Sequence, residues 1–181
     1  FVLSRSGSDR PTSTTAVTPA PTAPSSEARF VVPIDGLPTI GDRDALVTIV
    51  EFTDYECPYC AKAERTMRQL RESYGRDLRF AVAMHPLPMH AHARDAALVA
   101  LASSRFEETH AHLFEHAGVA DPDATRASFE ALANAEQLGA KLHARGTPTF
   151  FVNGKGVTGA QPYETFDEMV SHELATARAL V

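Results

Sequence analysis

Cys57-Pro58-Tyr59-Cys60 constrains this chain more than any other stretch, because it holds the only two cysteines among 181 residues. Two thiols cannot on their own complete a four-thiolate metal site. They can close a small disulfide ring. The pair follows Val47-Thr48-Ile49-Val50-Glu51-Phe52, a nearly continuous apolar run that predicts a buried central strand. It opens a run with Ala63, Met67, Leu70 and Tyr74 on one stripe, which predicts a helix from Pro58 to the stop at Gly75. Proline suits the first helical turn, where its missing N–H breaks no intrahelical bond. A C-x-x-C between such a strand and a helix start points to a redox-active dithiol.

Electrostatics assign the two thiols different roles. Unpaired N–H groups and the positive end of the helix dipole stabilise an anion at a helix N-terminus. A free thiol titrates near ~8.5, and thiols placed this way fall to roughly 3.5–7.5. Cys57 is therefore the expected nucleophile, partly exposed and the site of mixed-disulfide formation. Cys60, one turn into the helix, is the expected buried resolving thiol. Tyr59 is expected to be a half-exposed aromatic beside Cys57.

Composition narrows the partners. A net charge of −6 and a pI near 5.7 argue against nucleic-acid binding, and no cluster of Lys or Arg counters that. No run of about eighteen apolar residues is present to span a membrane. The chain opens on Phe1-Val2-Leu3 rather than Met, which predicts a signal peptide or anchor upstream. Residues 1–29 are rich in Ser, Thr, Pro and Ala and read as a disordered or extended spacer, a tether for the domain over 30–181.

The remaining pattern orders the elements. Phe30 to Ile34 reads as a short edge strand, with Pro33 excluding a central place. Gly36 to Asp44 reads as a loop. Leu78, Phe80 and Val82 alternate in a second strand, parallel to the first and stopped by His85-Pro86-Leu87-Pro88. A helical region follows, about 89–145. It includes His92 to Ser103, a helix opened by a capping box at Ser104-Arg105-Phe106-Glu107, and one or two helices from Asp121-Pro122 carrying Phe129, Leu132, Leu138 and Leu142, with a weak point at Gly139. Thr149 to Val152 is a third strand, Asn153-Gly154 a tight turn, and Gly156 to Thr158 a fourth strand pairing back. Pro162 opens a last helix with Tyr163, Phe166, Val170 and Leu174 inward. This order predicts an α/β thioredoxin fold, a mixed sheet flanked by helices, with a helical insertion after the second core strand.

Gly146-Thr147-Pro148-Thr149-Phe150-Phe151 is the second element of the site. A proline directly before an apolar strand fits either a trans strand start or a cis bond; with Cys57-Pro58-Tyr59-Cys60 on the matching strand–helix element it predicts a cis Thr147–Pro148 bond, in a turn that faces the disulfide in a thioredoxin fold. With Glu51-Phe52 before Glu56-Cys57-Pro58-Tyr59-Cys60, and with His85-Pro86-Leu87-Pro88, these residues resemble the DsbA-like thioredoxin family of bacterial thiol–disulfide oxidoreductases. The resemblance implies reversible dithiol exchange with cysteine-containing secreted or periplasmic proteins, a membrane or soluble redox partner, a periplasmic or extracytoplasmic location, and no bound cofactor. It carries the nucleophile onto Cys57, the resolving thiol onto Cys60, the cis-proline turn onto Thr147-Pro148, and the buried carboxylate beneath the disulfide onto Glu51. Pro58, Tyr59 and Thr147 are the expected substrate-contacting residues. Pro-Tyr between the cysteines and Thr before the proline differ from the strongly oxidising prototype, so the direction of electron flow stays open.

Burial would raise the Glu51 carboxyl, letting it accept and return the Cys60 proton. His112 and His116 stand at i and i+4, yet no third ligand has a convincing spacing, so no metal is expected. His85 and His90 are expected to border the site. The alternatives are a dedicated reductant for one partner, and a non-enzymatic thioredoxin-fold sensor or binding module joined to a membrane protein.

Overall fold

The computed structural model describes residues 28–116 and 125–180. Of the expected spacer over 1–29, residues 1–27 lie outside the described residues, as does the Asp121-Pro122 helix start. Five strands form one sheet: β1 (Thr39–Gly41), β2 (Val47–Thr53), β3 (Leu78–Met84), β4 (Thr149–Val152) and β5 (Lys155–Thr158), in the order β1-β3-β2-β4-β5. β2 and β3 run parallel, and the other neighbours run antiparallel. The helices are α1 (Pro58–Tyr74), α2 (Ala93–Ala102), α3 (Phe106–His116), α4 (Arg126–Lys141) and α5 (Tyr163–Arg178). This is the expected thioredoxin fold, with α2, α3 and α4 between β3 and β4.

Side chains alternate across a strand, so β2 sorts its residues between two layers. Val47 and Ile49 join Met67 and Leu70 of α1, Phe80 and Val82 of β3, and Phe166 and Val170 of α5. Val50 and Phe52 point the other way, onto Ala135 of α4 with Ala81, Ala83 and Phe151. Glu51 shares the parity of Ile49. The same alternation that buries Ile49 therefore drives a carboxylate under α1.

Helix α1 buries Cys60, Ala63, Glu64, Met67 and Leu70, a stripe at three- and four-residue spacing. Fully burying one such aliphatic side chain stabilises the fold by roughly 1.5–3 kcal/mol. Pro58 occupies the first helical turn, and Gly75 ends the helix at φ 51°. The β4–β5 turn has positive φ at both Asn153 (43°) and Gly154 (87°), as a two-residue hairpin requires. A Cβ on Gly154 would lie 2.3 Å from the Phe30 carbonyl oxygen, so this position is closed to larger residues.

Several boundaries differ from expectation. Phe30 to Ile34 is not a strand. Arg29 makes a single bridge to Lys155, Phe30 N–H donates to the Gly154 carbonyl at 2.9 Å, and Val31 is 93% exposed. The edge strand is instead Thr39–Gly41, inside the expected loop, where three residues pair with β3. Helix α3 starts at Phe106 without the expected Ser104 capping box: Arg105 stands at its N-terminus, and Ser103, the last residue of the preceding turn, accepts from Arg105 N–H at 3.1 Å and bonds Thr109 Oγ1 at 2.7 Å. Thr125 caps α4 in a capping box with Ser128. α4 runs unbroken through Gly139, and a Cβ there would meet His85 Nδ1 at 3.0 Å and Phe52 at 3.3 Å, so close packing rather than a helix break accounts for the glycine. Phe129 faces outward, leaving Leu132 and Ala135 as the buried stripe.

Candidate active site

Cys57 is the N-cap of α1, with extended backbone angles (φ −77°, ψ 117°). Its N–H donates to the Asp54 carbonyl at 3.1 Å, and its own carbonyl accepts from Ala61 at 3.1 Å. The Sγ–H donates to the Thr147 carbonyl at 3.4 Å. The Thr147–Pro148 bond is cis. Thr149 opens β4 opposite Phe52 of β2, so strand pairing carries this turn to the start of α1. The expected partial exposure of Cys57 is corrected: it is 4% exposed, because the Thr147 carbonyl closes over its sulfur. Pro58 and Tyr59 lie on the rim, Tyr59 at 65% exposure.

Both cysteines are free thiols. Cys60 is fully buried, and that burial pushes its thiol far above the ordinary range. The Glu51 charge pushes it the same way, while Thr53, Thr147 and Asp54 offset part of the effect. Glu51 lies within β2, and its carboxyl is pushed up to about 8. Burial is the main cause and Glu64 adds to it; Thr53 and Arg71 oppose it. Glu51 Oε1, Thr53 Oγ1 and Thr147 Oγ1 are buried without a hydrogen-bond partner. Unsatisfied buried polar atoms are uncommon, and three of them belong to groups that surround the Cys60 thiol.

A network missing from the sequence reading holds the loop in place. Asp54, three residues before Cys57, is buried and accepts from Glu56 N–H at 2.8 Å and Leu87 N–H at 2.7 Å, with His90 Nδ1 at 2.8 Å. His92 N–H donates to Glu56 Oε2 at 2.7 Å, and His85 N–H to the Thr53 carbonyl at 2.8 Å. His90 lies in the 85–92 loop before α2 and pins that loop to Asp54, three residues before Cys57. Its only sequence signal was Asp54 at a fixed offset from the cysteines. The rings of His112 and His116 stack 4.3 Å apart. Among the described residues, no group of three or more His, Cys, Asp or Glu is placed to hold a metal, and no helix is long and apolar enough to cross a membrane.

A mixed sheet with a dithiol at the start of the helix after its central strand, facing a cis-proline turn, defines a thioredoxin-fold dithiol protein. A thioredoxin family model matches residues 35–141, and the chain belongs to that family. The catalytic domain of Proteus mirabilis ScsC superposes with a TM-score of 0.69 at 26% identity, over 77% of this chain and 90% of that one. BdbD from Bacillus subtilis superposes with a TM-score of 0.70 at 22% identity, over 81% of this chain and 97% of that one, and shares the fold. A periplasmic thioredoxin-like protein from Salmonella enterica serovar Typhimurium superposes with a TM-score of 0.65 at 24% identity, over 77% and 91%. The chain is also 33% identical over 148 residues to a protein of Herminiimonas arsenicoxydans named Na(+)/H(+) antiporter NhaA, covering 69% of this chain. A Salinispora arenicola protein named Na(+)/H(+) antiporter NhaA 1 is 34% identical over 162 residues, covering 76% of this chain. The chain spans about a quarter of the length of these two relatives.

Proposed function

We propose that this domain exchanges disulfides with extracytoplasmic proteins through Cys57 and Cys60, without a bound cofactor. The observation that carries the reading is the pairing of an N-cap thiol against the Thr147 carbonyl with a buried thiol beside an unpartnered carboxyl. In the oxidising direction a substrate thiolate attacks Cys57 Sγ. The Cys57–Cys60 bond breaks, Cys60 leaves with the electron pair, and the Glu51 carboxyl supplies its proton. A second substrate thiolate then attacks the substrate sulfur and releases Cys57. Two electrons have passed from the substrate dithiol to the pair. The reductant direction is the same path reversed, with Glu51 receiving the Cys60 proton.

Pro148 shapes the turn against the thiols. The Thr147 backbone, Pro58 and exposed Tyr59 form the surface that meets an extended substrate segment. Residues 30–181 act as the exchange domain and 1–29 as its spacer, whose last residue, Arg29, is fastened to Glu173 of the domain. The quarter-length matches to antiporters favour a second reading, in which the domain serves a membrane transport protein as a redox-sensing module. Turnover separates the two. Oxidised protein mixed with excess of a peptide carrying two cysteines, and resupplied with glutathione disulfide, is expected to convert many peptide equivalents, with none converted by Cys57→Ser. A single stoichiometric conversion would favour the sensor and overturn the enzyme.

A further inference from the structure

Two tight turns stand side by side at the dithiol, and one carboxylate joins them. Asp54 to Cys57 form the first, closed by Cys57 N–H donating to the Asp54 carbonyl at 3.1 Å. Leu87-Pro88-Met89-His90 form the second, closed by His90 N–H donating to the Leu87 carbonyl at 3.0 Å. Both ends of the second turn meet the same atom. Leu87 N–H donates to Asp54 Oδ2 at 2.7 Å, and His90 Nδ1 lies 2.8 Å from it. Asp54 Oδ1 accepts from Glu56 N–H at 2.8 Å, inside the first turn. The Asp54 side chain is fully buried. Glu56 adds a further tie, its Oε2 accepting from His92 N–H at 2.7 Å.

Sheet order fixes where the second turn stands. β3 and β4 flank β2 on opposite sides. β3 runs parallel to β2 and ends beside it, while β4 runs antiparallel and begins there. The turn after β3 and the Thr147–Pro148 turn before β4 therefore border the redox loop from opposite sides. Proline at the second position of a turn carries the φ that the turn requires, so Pro88 stiffens it. Met89, at the third position, is left 74% exposed, whereas Met67 and Met84 are buried and Met169 packs partly buried on the core. A lone exposed apolar side chain needs no explanation. This one stands at the tip of a turn whose two ends are clipped to a buried carboxylate. Its thioether is flexible and polarizable, and adapts to apolar partners of differing shape.

Resting on the exchange reading above, we infer that Met89 is a specificity-determining residue: the Asp54 clip holds the 87–90 turn as the β3-side wall of the substrate surface, where the Met89 side chain packs on an apolar residue flanking the substrate cysteine. The Thr147 backbone meets the same segment from the β4 side, and Cys57 between them takes its sulfur. An extended segment advances about 3.3 Å per residue, so its contacts beyond the redox loop fall on residues one or two places from the reacting cysteine. A turn already fixed before binding loses little conformational freedom when it makes such a contact. Bond changes are those already given, and Met89 takes part in none of them. His90 acts through the clip as a positioning residue, touching Asp54 rather than substrate.

The test compares two peptides, each with two cysteines, carrying Leu or Ser on both sides of each cysteine, as the ratio of their kcat/KM values with the full chain. Steps common to both peptides cancel in that ratio, so a general loss of activity does not move it. The unaltered protein is expected to prefer the Leu peptide. Met89→Ser is expected to lower the ratio about fivefold, less than a closed apolar pocket would give because the rim stays open to water. Met89→Leu is expected to keep it within about twofold of the unaltered value. His90→Ala, which frees one end of the turn, is expected to lower it about twofold. Equal values for the two peptides in the unaltered protein, or a ratio unmoved in Met89→Ser, overturn the inference. A fall in Met89→Leu as large as that in Met89→Ser overturns it too, since the shape of the turn rather than its apolar tip would then set the preference. A ratio unmoved in His90→Ala overturns the part given to the clip. A second readout needs no turnover. In Cys60→Ser protein joined through Cys57 to a thiopyridyl-activated Leu peptide, the Met89 methyl signal in carbon-13 NMR is expected to shift from its place in the Ser-peptide adduct. An unshifted signal overturns the inference. Absence of exchange in the unaltered protein contradicts the proposed function instead, and leaves the methyl comparison readable.

Discussion

Two glutamates are buried at opposite ends of this domain, and their surroundings are opposite. Glu173 on α5 is held by Arg29 through two bonds, at 2.7 and 2.9 Å, and by Lys155 at 2.9 Å. Burial pushes its carboxyl up, but the bonds and charges of Arg29 and Lys155 outweigh that and bring it down to about 2. Among the described residues Glu51 has no cation in contact; it has an orphaned oxygen and a carboxyl pushed up to about 8. A buried carboxylate with its partners supplied fastens the chain, here tying the Arg29 segment to α5 beside the hairpin. A buried carboxyl left without them costs stability and holds a proton at neutral pH. The second kind stands next to Cys60, where the proposed exchange needs a proton.

Removing the sulfur that this arrangement serves should have the largest effect. Cys57→Ser is expected to lower exchange by roughly three orders of magnitude or more, with little change in urea unfolding of the reduced protein. Cys60→Ser is expected to accumulate the mixed disulfide at Cys57, seen by mass spectrometry.

Glu51→Gln sharpens the contrast through stability. A carboxyl whose folded value lies above its ordinary 4.5 binds more proton in the native state, so native stability falls as pH rises from about 4.5 to about 8. The substitution is expected to stabilise the reduced protein by on the order of 3 kcal/mol at pH 8 and by less than ~1 kcal/mol at pH 5. It should also slow exchange by roughly tenfold. Urea unfolding at the two pH values checks the first outcome. A gain independent of pH would contradict it.

Glu173→Gln should act with the opposite sign and leave the chemistry alone. A carboxyl held at about 2 contributes stability above its ordinary 4.5, and that contribution is lost as pH falls through about 2. The variant is expected to lose roughly 2 kcal/mol at pH 7 while exchanging at the unaltered rate. The smallest effect belongs to the rim. Tyr59→Ala should leave stability within ~0.5 kcal/mol and weaken peptide exchange only a few-fold, measured as the peptide concentration for half-maximal rate.

Local rules made much of this molecule legible from its residues. The stripe of α1, the Asn153-Gly154 hairpin and the order of elements each follow from short-range sterics and periodicity. The two halves of the site, Cys57 and Thr147, were legible because each lies at a strand end with its own signature. Glu51 was legible once β2 was read as buried on both faces. The strand Thr39–Gly41 was not, because three residues show no period and pairing with β3 decides their state. Asp54 was missed for a related reason. Its role depends on partners far along the chain, Leu87 and His90.

The most direct measurement is the equilibrium of the Cys57–Cys60 pair with glutathione buffers, followed from pH 6 to pH 9 with Cys57→Ser as control. The account predicts a two-electron equilibrium with a potential between about −120 and −270 mV. It also predicts a change in its pH slope near 8 that disappears in Glu51→Gln. A pair that fails to equilibrate, or one whose pH slope is the same with and without the Glu51 carboxyl, would contradict it.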